Sequence, residues 1–250
     1  WRVRPTDDLD VQRTYLGDTN VLVTRFARDG DPVLTITDLL VYSRVNAFDS
    51  SHTGHMLLRR VEAYDTVDIE VEFQPRFDYG RAETLLRLTD RGVEATAGGD
   101  RLELVTDLPL AVERHEDDNG DVALGTVTLG PGEERWMRLE TEGSARGPHR
   151  HLSNDELLDL TVRTWGRWAR LIDYDGPWRG AVVRSALVLK ALVYEPTGAL
   201  VAAPTTSLPE GLGGVRNWDY RYFWVRDSYY TLQAFNQLGH FEELDKYFKI

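Results

Sequence analysis

The sequence predicts a multidomain β + α chain: an antiparallel β-sandwich over residues 1–148, a connecting helix and linker over 149–176, and the start of a helical domain over 177–250. Three observations predict this. Strictly alternating segments, clearest in Val67-Asp68-Ile69-Glu70-Val71-Glu72-Phe73, fill the first part. Short turn signals separate them. After His149-Arg150-His151 the apolar period changes from two to 3.6.

Further strands are expected near Asn20–Phe26, Val33–Val45, Met56–Val61, Arg101–Val105 and Val122–Leu129. Asp29-Gly30, Gly98-Gly99-Asp100, Asn119-Gly120 and Gly130-Pro131-Gly132 supply turns between them. Many strands joined by short turns point to an antiparallel sandwich. No internal repeat is visible.

Ser153-Asn154-Asp155-Glu156 fits a capping box and opens a helix along which Leu158, Val162, Trp165, Ala169 and Ile172 keep helical spacing. Asp173–Pro177 stops it, and Pro177 is placed to open the next. Ala181–Tyr194 is apolar on nearly every side except Arg184 and Lys190, as in a helix buried by other helices. Ala199–Glu210, with two prolines and clustered Thr and Ser, is too broken for a helix and too apolar for a free linker. It is expected as an ordered loop over a core. Trp224–Gly239 is predicted helical, with Val225, Ser228, Tyr229, Leu232, Phe235 and Leu238 along it, and another helix begins at His240. Three helices with such apolar faces leave much surface uncovered, so the sequence is expected to be a piece of a longer protein.

Composition narrows the function classes. The formal net charge is −12 and the pI near 5.0. That balance argues against nucleic acid, whose binding rests on Lys and Arg neutralising phosphates, and against an anionic membrane. Only three lysines occur, Lys190, Lys246 and Lys249; an acidic, Lys-poor surface is read as genomic bias rather than as adaptation to salt. With no cysteine, disulfides, thiolate catalysis and Cys-ligated metals are excluded. No apolar run reaches the length of a membrane span. A cytoplasmic location is the expectation.

The segment Gly213–Tyr230, GGVRNWDYRYFWVRDSYY, carries seven aromatic rings beside Arg–carboxylate pairs in eighteen residues. A core does not need the charges, and a solvated face does not favour the rings. The combination suggests a lined pocket. At a helix start, Arg226 is a fork of donors and Asp227 an acceptor, so together they suit a pair of vicinal hydroxyls. Trp218, Tyr220, Tyr222 and Trp224 supply flat apolar faces for the C–H face of a pyranose. The structural alternative is an Arg–Asp pair capping a helix, with the rings in a core.

Those residues, together with Val201-Ala-Ala-Pro-Thr-Thr-Ser-Leu-Pro-Glu210 upstream, resemble glycoside hydrolase family 15, the family of glucoamylases, glucodextranases and prokaryotic family-15 trehalases. Gly176-Pro-Trp-Arg179 and Arg184–Lys190 extend the resemblance; Arg13–Asn20 and Pro75–Arg81 resemble segments of the β domain in prokaryotic members. The resemblance implies a β-sandwich followed by an (α/α)6 barrel, with removal of glucose from non-reducing ends and inversion at the anomeric carbon. It places Tyr220, Trp224, Arg226 and Asp227 as substrate-binding residues for an α-glucoside or α-glucan. Inversion needs two carboxyls about 6.5–9.5 Å apart. The family's two glutamates lie downstream of the W-x-R-D motif, so no catalytic residue is expected within the chain, which is expected to be inactive alone. Asp219 has no counterpart catalytic role, and Asp227 is already assigned to sugar. The hydrolytic mechanism requires no cofactor and no metal.

Other signals are weaker. His52-Thr-Gly-His55 lacks a nearby carboxylate pattern and is read as surface histidines. Glu116–Asp121 lacks EF-hand spacing and is read as a hairpin turn. His149–His151 is read as a domain junction. Gly211–Gly214 lacks the strand–helix context of a phosphate loop. Glu210 is read either as a sugar contact or as an anchor for its loop. A disaccharide phosphorylase of the same architecture and a non-catalytic glucan-binding protein are the alternative functions. Trehalose, maltooligosaccharides and isomaltose are all open as substrates.

Overall fold

Alternation and turn chemistry explain the first part of the molecule. A computed structural model describes residues 1–42, 56–115, 120–141, 149, 151–195, 197–205 and 209–248. In it, strands β1 (Arg2–Pro5), β6 (Val67–Phe73), β11 (Gly120–Leu129) and β10 (Ala111–His115) form a four-stranded sheet in that order. A second sheet has the order β2 (Asp10–Tyr15), β3 (Leu22–Arg28), β4 (Asp31–Leu40), β5 (Met56–Ala63), β12 (Glu134–Thr141), β9 (Asp100–Thr106), β8 (Gly92–Ala97) and β7 (Leu85–Thr89). Every pairing within the two sheets is antiparallel. Val67, Ile69, Val71 and Phe73 of β6 meet Ile36, Val61, Val93, Leu104 and Met137 of the larger sheet in one apolar cluster. Their period-two spacing is what sends all of them to one side.

The expected strands are present, except that β4 ends at Leu40 and residues 43–45 of the expected Val33–Val45 strand lie outside the described set. Asp29 and Gly30 both adopt positive φ, 53° and 92°, the geometry of the tight hairpin that joins β3 to β4. Gly98, at φ 59°, turns β8 into β9. The sequence reading did not pick out β1, β2, β7, β8, β10 and β12. β2 is exposed at every position and sits at a sheet edge, so it carries no apolar alternation. β12 hides its period because the apolar Trp136 falls on the outward parity with Arg138 and Glu140, while the charged Arg135 shares the parity of Met137 and Leu139.

The capping box at the start of helix α1 (Asn154–Ala169) forms in both directions: Glu156 N–H donates to Ser153 Oγ at 3.2 Å, and Ser153 N–H to Glu156 Oε2 at 2.7 Å. The buried stripe differs from the expected one. Leu157, Thr161, Trp165, Trp168, Ala169 and Ile172 are buried, while Leu158 and Val162 are half-buried. The two bulky tryptophans choose the face. Helix α2 (Arg179–Ala191) begins two residues after Pro177, because Trp178 takes a left-handed conformation, φ 63°, at the cap. Helices α3 (Val225–Gln237) and α4 (Phe241–Tyr247) follow, and strands β13 (Val193–Tyr194) and β14 (Ala199–Leu200) pair between α2 and α3.

The chain divides into two units: the described residues of Trp1–Leu16, Val21–Val41 and Gly54–Thr161, and those of Gly17–Asn20, Tyr42–Thr53 and Val162–Ile250. The second has its own core of Trp165, Trp168, Ile172, Val183, Leu187, Leu200, Leu232 and Phe235. Within it, Arg184 Nη1 donates to Thr19 O at 2.7 Å and Asn20 Nδ2 to Leu187 O at 2.9 Å, tying residues 17–20 to α2. Among the described residues, no helix is long and apolar enough to cross a membrane.

Candidate functional site

The aromatic segment is held by backbone pairing to the loop that precedes it. Val201 bridges Phe223, Ala202 N–H donates to Tyr222 O at 3.2 Å, and Ala203 N–H to Tyr220 O at 2.9 Å. The loop expected to be ordered is therefore ordered at residues 199–205; residues 206–208 lie outside the described set. Trp224 ends this extended stretch as the cap of α3, at φ −125° and ψ 122°. Arg226 and Asp227 consequently fall in the first turn of the helix.

Tyr220, Trp224, Arg226 and Asp227 come together as a chain of neighbours. The Tyr220 and Trp224 rings are 6.5 Å apart, tilted by 36°. The Arg226 guanidinium carbon lies 5.6 Å from the centre of the Trp224 ring, within cation–π range. Arg226 Nη2 donates to Asp227 Oδ2 at 3.3 Å. Asp227 makes no capping bond to the helix. The rings of Trp218, Tyr222, Trp224, Tyr229 and Tyr230 are all exposed, from 41% at Trp224 to 66% at Tyr222. These five rings are therefore not enclosed in a core of the described residues, while the Arg226–Asp227 ion pair of the structural alternative is present.

The buried face of α3 is Ser228, Leu232 and Phe235, whereas Val225 and Tyr229 point to solvent at 69% and 61% exposure. Those two were expected along the helix with Leu232 and Phe235. Tyr229 lies one position off the Ser228, Leu232, Phe235 stripe, whereas Val225 shares that stripe but stands at the first residue of the helix. Asp219 is engaged by Arg221, which donates from Nε to Oδ1 at 2.9 Å and from Nη2 to Oδ2 at 2.6 Å. Glu210 pairs with Arg216 at 3.5 Å, and its N–H donates to Arg216 O at 3.1 Å, which is the loop-anchoring arrangement. Gly214 N–H donates to Gly211 O at 2.9 Å, closing a turn that no helix follows directly.

The sequence reading missed a buried charge network beneath this segment. Lys190 Nζ lies 2.8 Å from Glu195 Oε2 and 3.2 Å from Glu243 Oε1, with only 2% of its side chain exposed. Lys246 also pairs with Glu195, and Trp168 Nε1 donates to Glu243 Oε1 at 2.8 Å. Burial alone pulls the Lys190 ammonium pKa down, but the charges of Tyr42, Glu243 and Glu195 outweigh it and hold it above the ordinary lysine value. Burial pushes Glu195 up, but Lys190 and Lys246 outweigh it and hold it below the usual carboxylate range. A signal was available: Lys190, one of three lysines in the chain, follows an apolar run in α2. The network reaches the aromatic segment through Tyr247, whose ring stacks on Phe223 at 6.0 Å.

Among the described residues, no group of three His, Asp or Glu side chains is placed to hold a metal ion. His52, His55 and most of the Glu116–Asp121 stretch lie outside the described set.

Comparison with known proteins bears on these residues. The family model Glycosyl hydrolases family 15 matches residues 176–249, the span that holds the whole aromatic segment. A trehalase of Thermoplasma volcanium is 34% identical over 94% of the chain and 36% of its own length. A trehalase of Thermoplasma acidophilum is 35% identical over 96% of the chain and 40% of its own length, and one of Mycolicibacterium smegmatis 37% identical over 78% and 30%. The chain therefore spans two fifths or less of the length of these relatives. A solved structure described as a putative kojibiose phosphorylase from human microbiome covers 80% of the chain and 28% of its own, at 10% identity and TM-score 0.36, too distant to carry an argument. The chain is thus similar to glycosyl hydrolases family 15 over residues 176–249 and to a part of each of these three trehalases.

Proposed function

We propose that the protein is an exo-acting, inverting α-glucoside hydrolase, with trehalose as its leading substrate, and that the chain supplies part of its glucose pocket. The observation that carries this is the neighbour chain Tyr220–Trp224–Arg226–Asp227 at the start of α3, inside the family-matched span. Asp227 accepts from one sugar hydroxyl while Arg226 donates to the next, and Tyr220 and Trp224 offer ring faces to the pyranose. Relatives named trehalase support the choice of disaccharide. The helices from α2 onward begin an (α/α)6 barrel in this reading. The general acid and base are glutamates beyond Ile250, so the 250-residue chain alone is inactive.

The test uses the intact gene product with trehalose and maltotriose together, followed by proton NMR in the first minutes. An inverting cut of trehalose releases one β- and one α-glucose; a retaining cut releases α-glucose only. Early β-glucose from trehalose and none from maltotriose is the expected result. Release from maltotriose alone makes it a glucoamylase-type enzyme. Glucose from neither substrate overturns the proposal.

A further inference from the structure

The first unit holds a cavity of about 460 Å3 where β9, β12 and the start of α1 meet, within the size range of small-ligand sites. Alternation along β12 sends Met137 and Leu139 to the apolar cluster and leaves Trp136 and Arg138 on the opposite face, lining the cavity. The Trp136 ring is fixed from two directions. Its Nε1 donates to Glu134 Oε1 at 2.5 Å, and Arg60, which does not line the cavity, approaches the ring centre to 5.9 Å. A half-buried indole held this way gives the cavity a rigid flat apolar wall.

The charges around it oppose an anionic ligand. Arg138 Nε is 2.6 Å from Glu140 Oε1, and Arg135 lies 3.6 Å from Glu133 and 4.0 Å from Asp107. Each cation thus has a carboxylate neighbour. The N-terminus of α1 is already closed by its own capping box, with Asp155 and Glu156 in the first turn. One acceptor is left over. Asn154 lines the cavity, and its Oδ1 is buried with no hydrogen-bond donor among the described residues. A buried acceptor without a donor is costly unless a ligand or water supplies one.

We propose that this cavity is an accessory saccharide site, taking a neutral oligosaccharide that lays a C–H face on Trp136 and, with the Asn154 side chain turned into the cavity, donates a hydroxyl to Asn154 Oδ1. It does not depend on the reading of residues 220–227. The seven tryptophans are replaced by 5-fluorotryptophan, and the Trp136 fluorine resonance is identified by its loss in Trp136→Phe. The chain is then titrated with maltotriose and, separately, with inorganic phosphate. The expected result is a saturable shift of the Trp136 resonance with maltotriose and none with phosphate. Asn154→Ala is expected to weaken it by about 3- to 10-fold, the loss of one neutral hydrogen bond. If Trp136→Phe folds poorly, the Asn154→Ala titration still shows whether one tryptophan resonance loses its response. A resonance that maltotriose leaves unmoved, or one that answers phosphate instead, overturns the proposal. So does a maltotriose shift confined to the resonances of Trp218 and Trp224.

Discussion

Asp227 sits in the first turn of α3 with no bond to the helix amides, and its partner Arg226 is 69% exposed. An ion pair that open to solvent contributes about 0–1 kcal/mol. Asp227→Ala is therefore expected to change the unfolding free energy of the chain by less than about 1 kcal/mol. In the intact gene product, the proposed role of Asp227 makes the same substitution the loss of a charged acceptor for sugar hydroxyls, and kcat/KM is expected to fall roughly 10- to 100-fold. The two measurements separate a binding residue from a structural one; equal and small effects on both refute the assignment. Lys190 is the opposite kind of residue. Replacing it with Met leaves Glu243 buried without its cation, while Glu195 keeps Lys246, at a cost of about 3–5 kcal/mol. The pH dependence follows from the shift directions. Glu195 is held low, so its contribution is present above the unfolded glutamate pKa and is lost as pH falls through the folded value. Lys190 is held high, so its contribution is present below the unfolded lysine pKa and is lost as pH rises through the folded value. Urea midpoints against pH should show a shallower acid limb in Glu195→Gln and a shallower alkaline limb in Lys190→Met.

Helix α1 shows what an element owes to its own residues. Ser153 Oγ and Glu156 carboxylate each satisfy an amide that the helix leaves unpaired. Ser153→Ala is expected to cost about 1 kcal/mol, read as faster hydrogen exchange in the first turn of α1 with the β-sheet amides unchanged. The hydrogen bond donated by the Ser153 backbone N–H, then the one donated by its hydroxyl, hold Glu156 below its ordinary pKa. This part of the cap is present above the unfolded glutamate pKa and is lost as pH falls through the folded value. That box was legible because both partners lie within four residues. The stripe behind it was not, since whether Leu157 or Leu158 faces inward depends on what Trp165 and Trp168 pack against. β6 was legible for the same local reason, and β2 was not, because an exposed edge strand is specified by its neighbour's hydrogen bonds rather than by its own pattern. At the site, the resemblance and the helix start gave Tyr220, Trp224, Arg226 and Asp227. The Lys190–Glu195–Glu243 network spans 53 residues from Lys190 to Glu243, a separation that no spacing rule reads.

At the scale of the whole molecule, the two units treat apolar surface differently. The sheets of the first enclose a cluster to which β1, β3, β4, β5, β6, β8, β9, β11 and β12 all contribute. The second buries Trp165, Trp168, Leu232 and Phe235, yet leaves Leu212, Val215, Trp218, Tyr222, Phe223, Trp224, Tyr229 and Tyr230 exposed. Soluble monomers rarely leave so many large apolar side chains open in one short segment. The proposed sugar pocket would account for Tyr220 and Trp224, but not for Leu212 at full exposure or for Tyr229 and Tyr230 further along α3. In the longer relatives there is ample chain to cover such a face, since these residues correspond to 36% and 40% of their lengths. The isolated 250-residue polypeptide is therefore expected to self-associate despite its net charge of −12, because repulsion between acidic surfaces is screened within about 10 Å at 0.1 M salt while ring burial is not. Sedimentation velocity across a concentration series should show a weight-average mass that rises with concentration. Tyr222→Ser, Tyr229→Ser and Tyr230→Ser together should return it toward the monomer, whereas Tyr64→Ser and Tyr79→Ser, exposed singly on the first unit, should not. The intact gene product should bind less of an apolar dye per chain than the 250-residue polypeptide does. A polypeptide that stays monomeric and dye-silent throughout would show that these rings do not form an uncovered packing face.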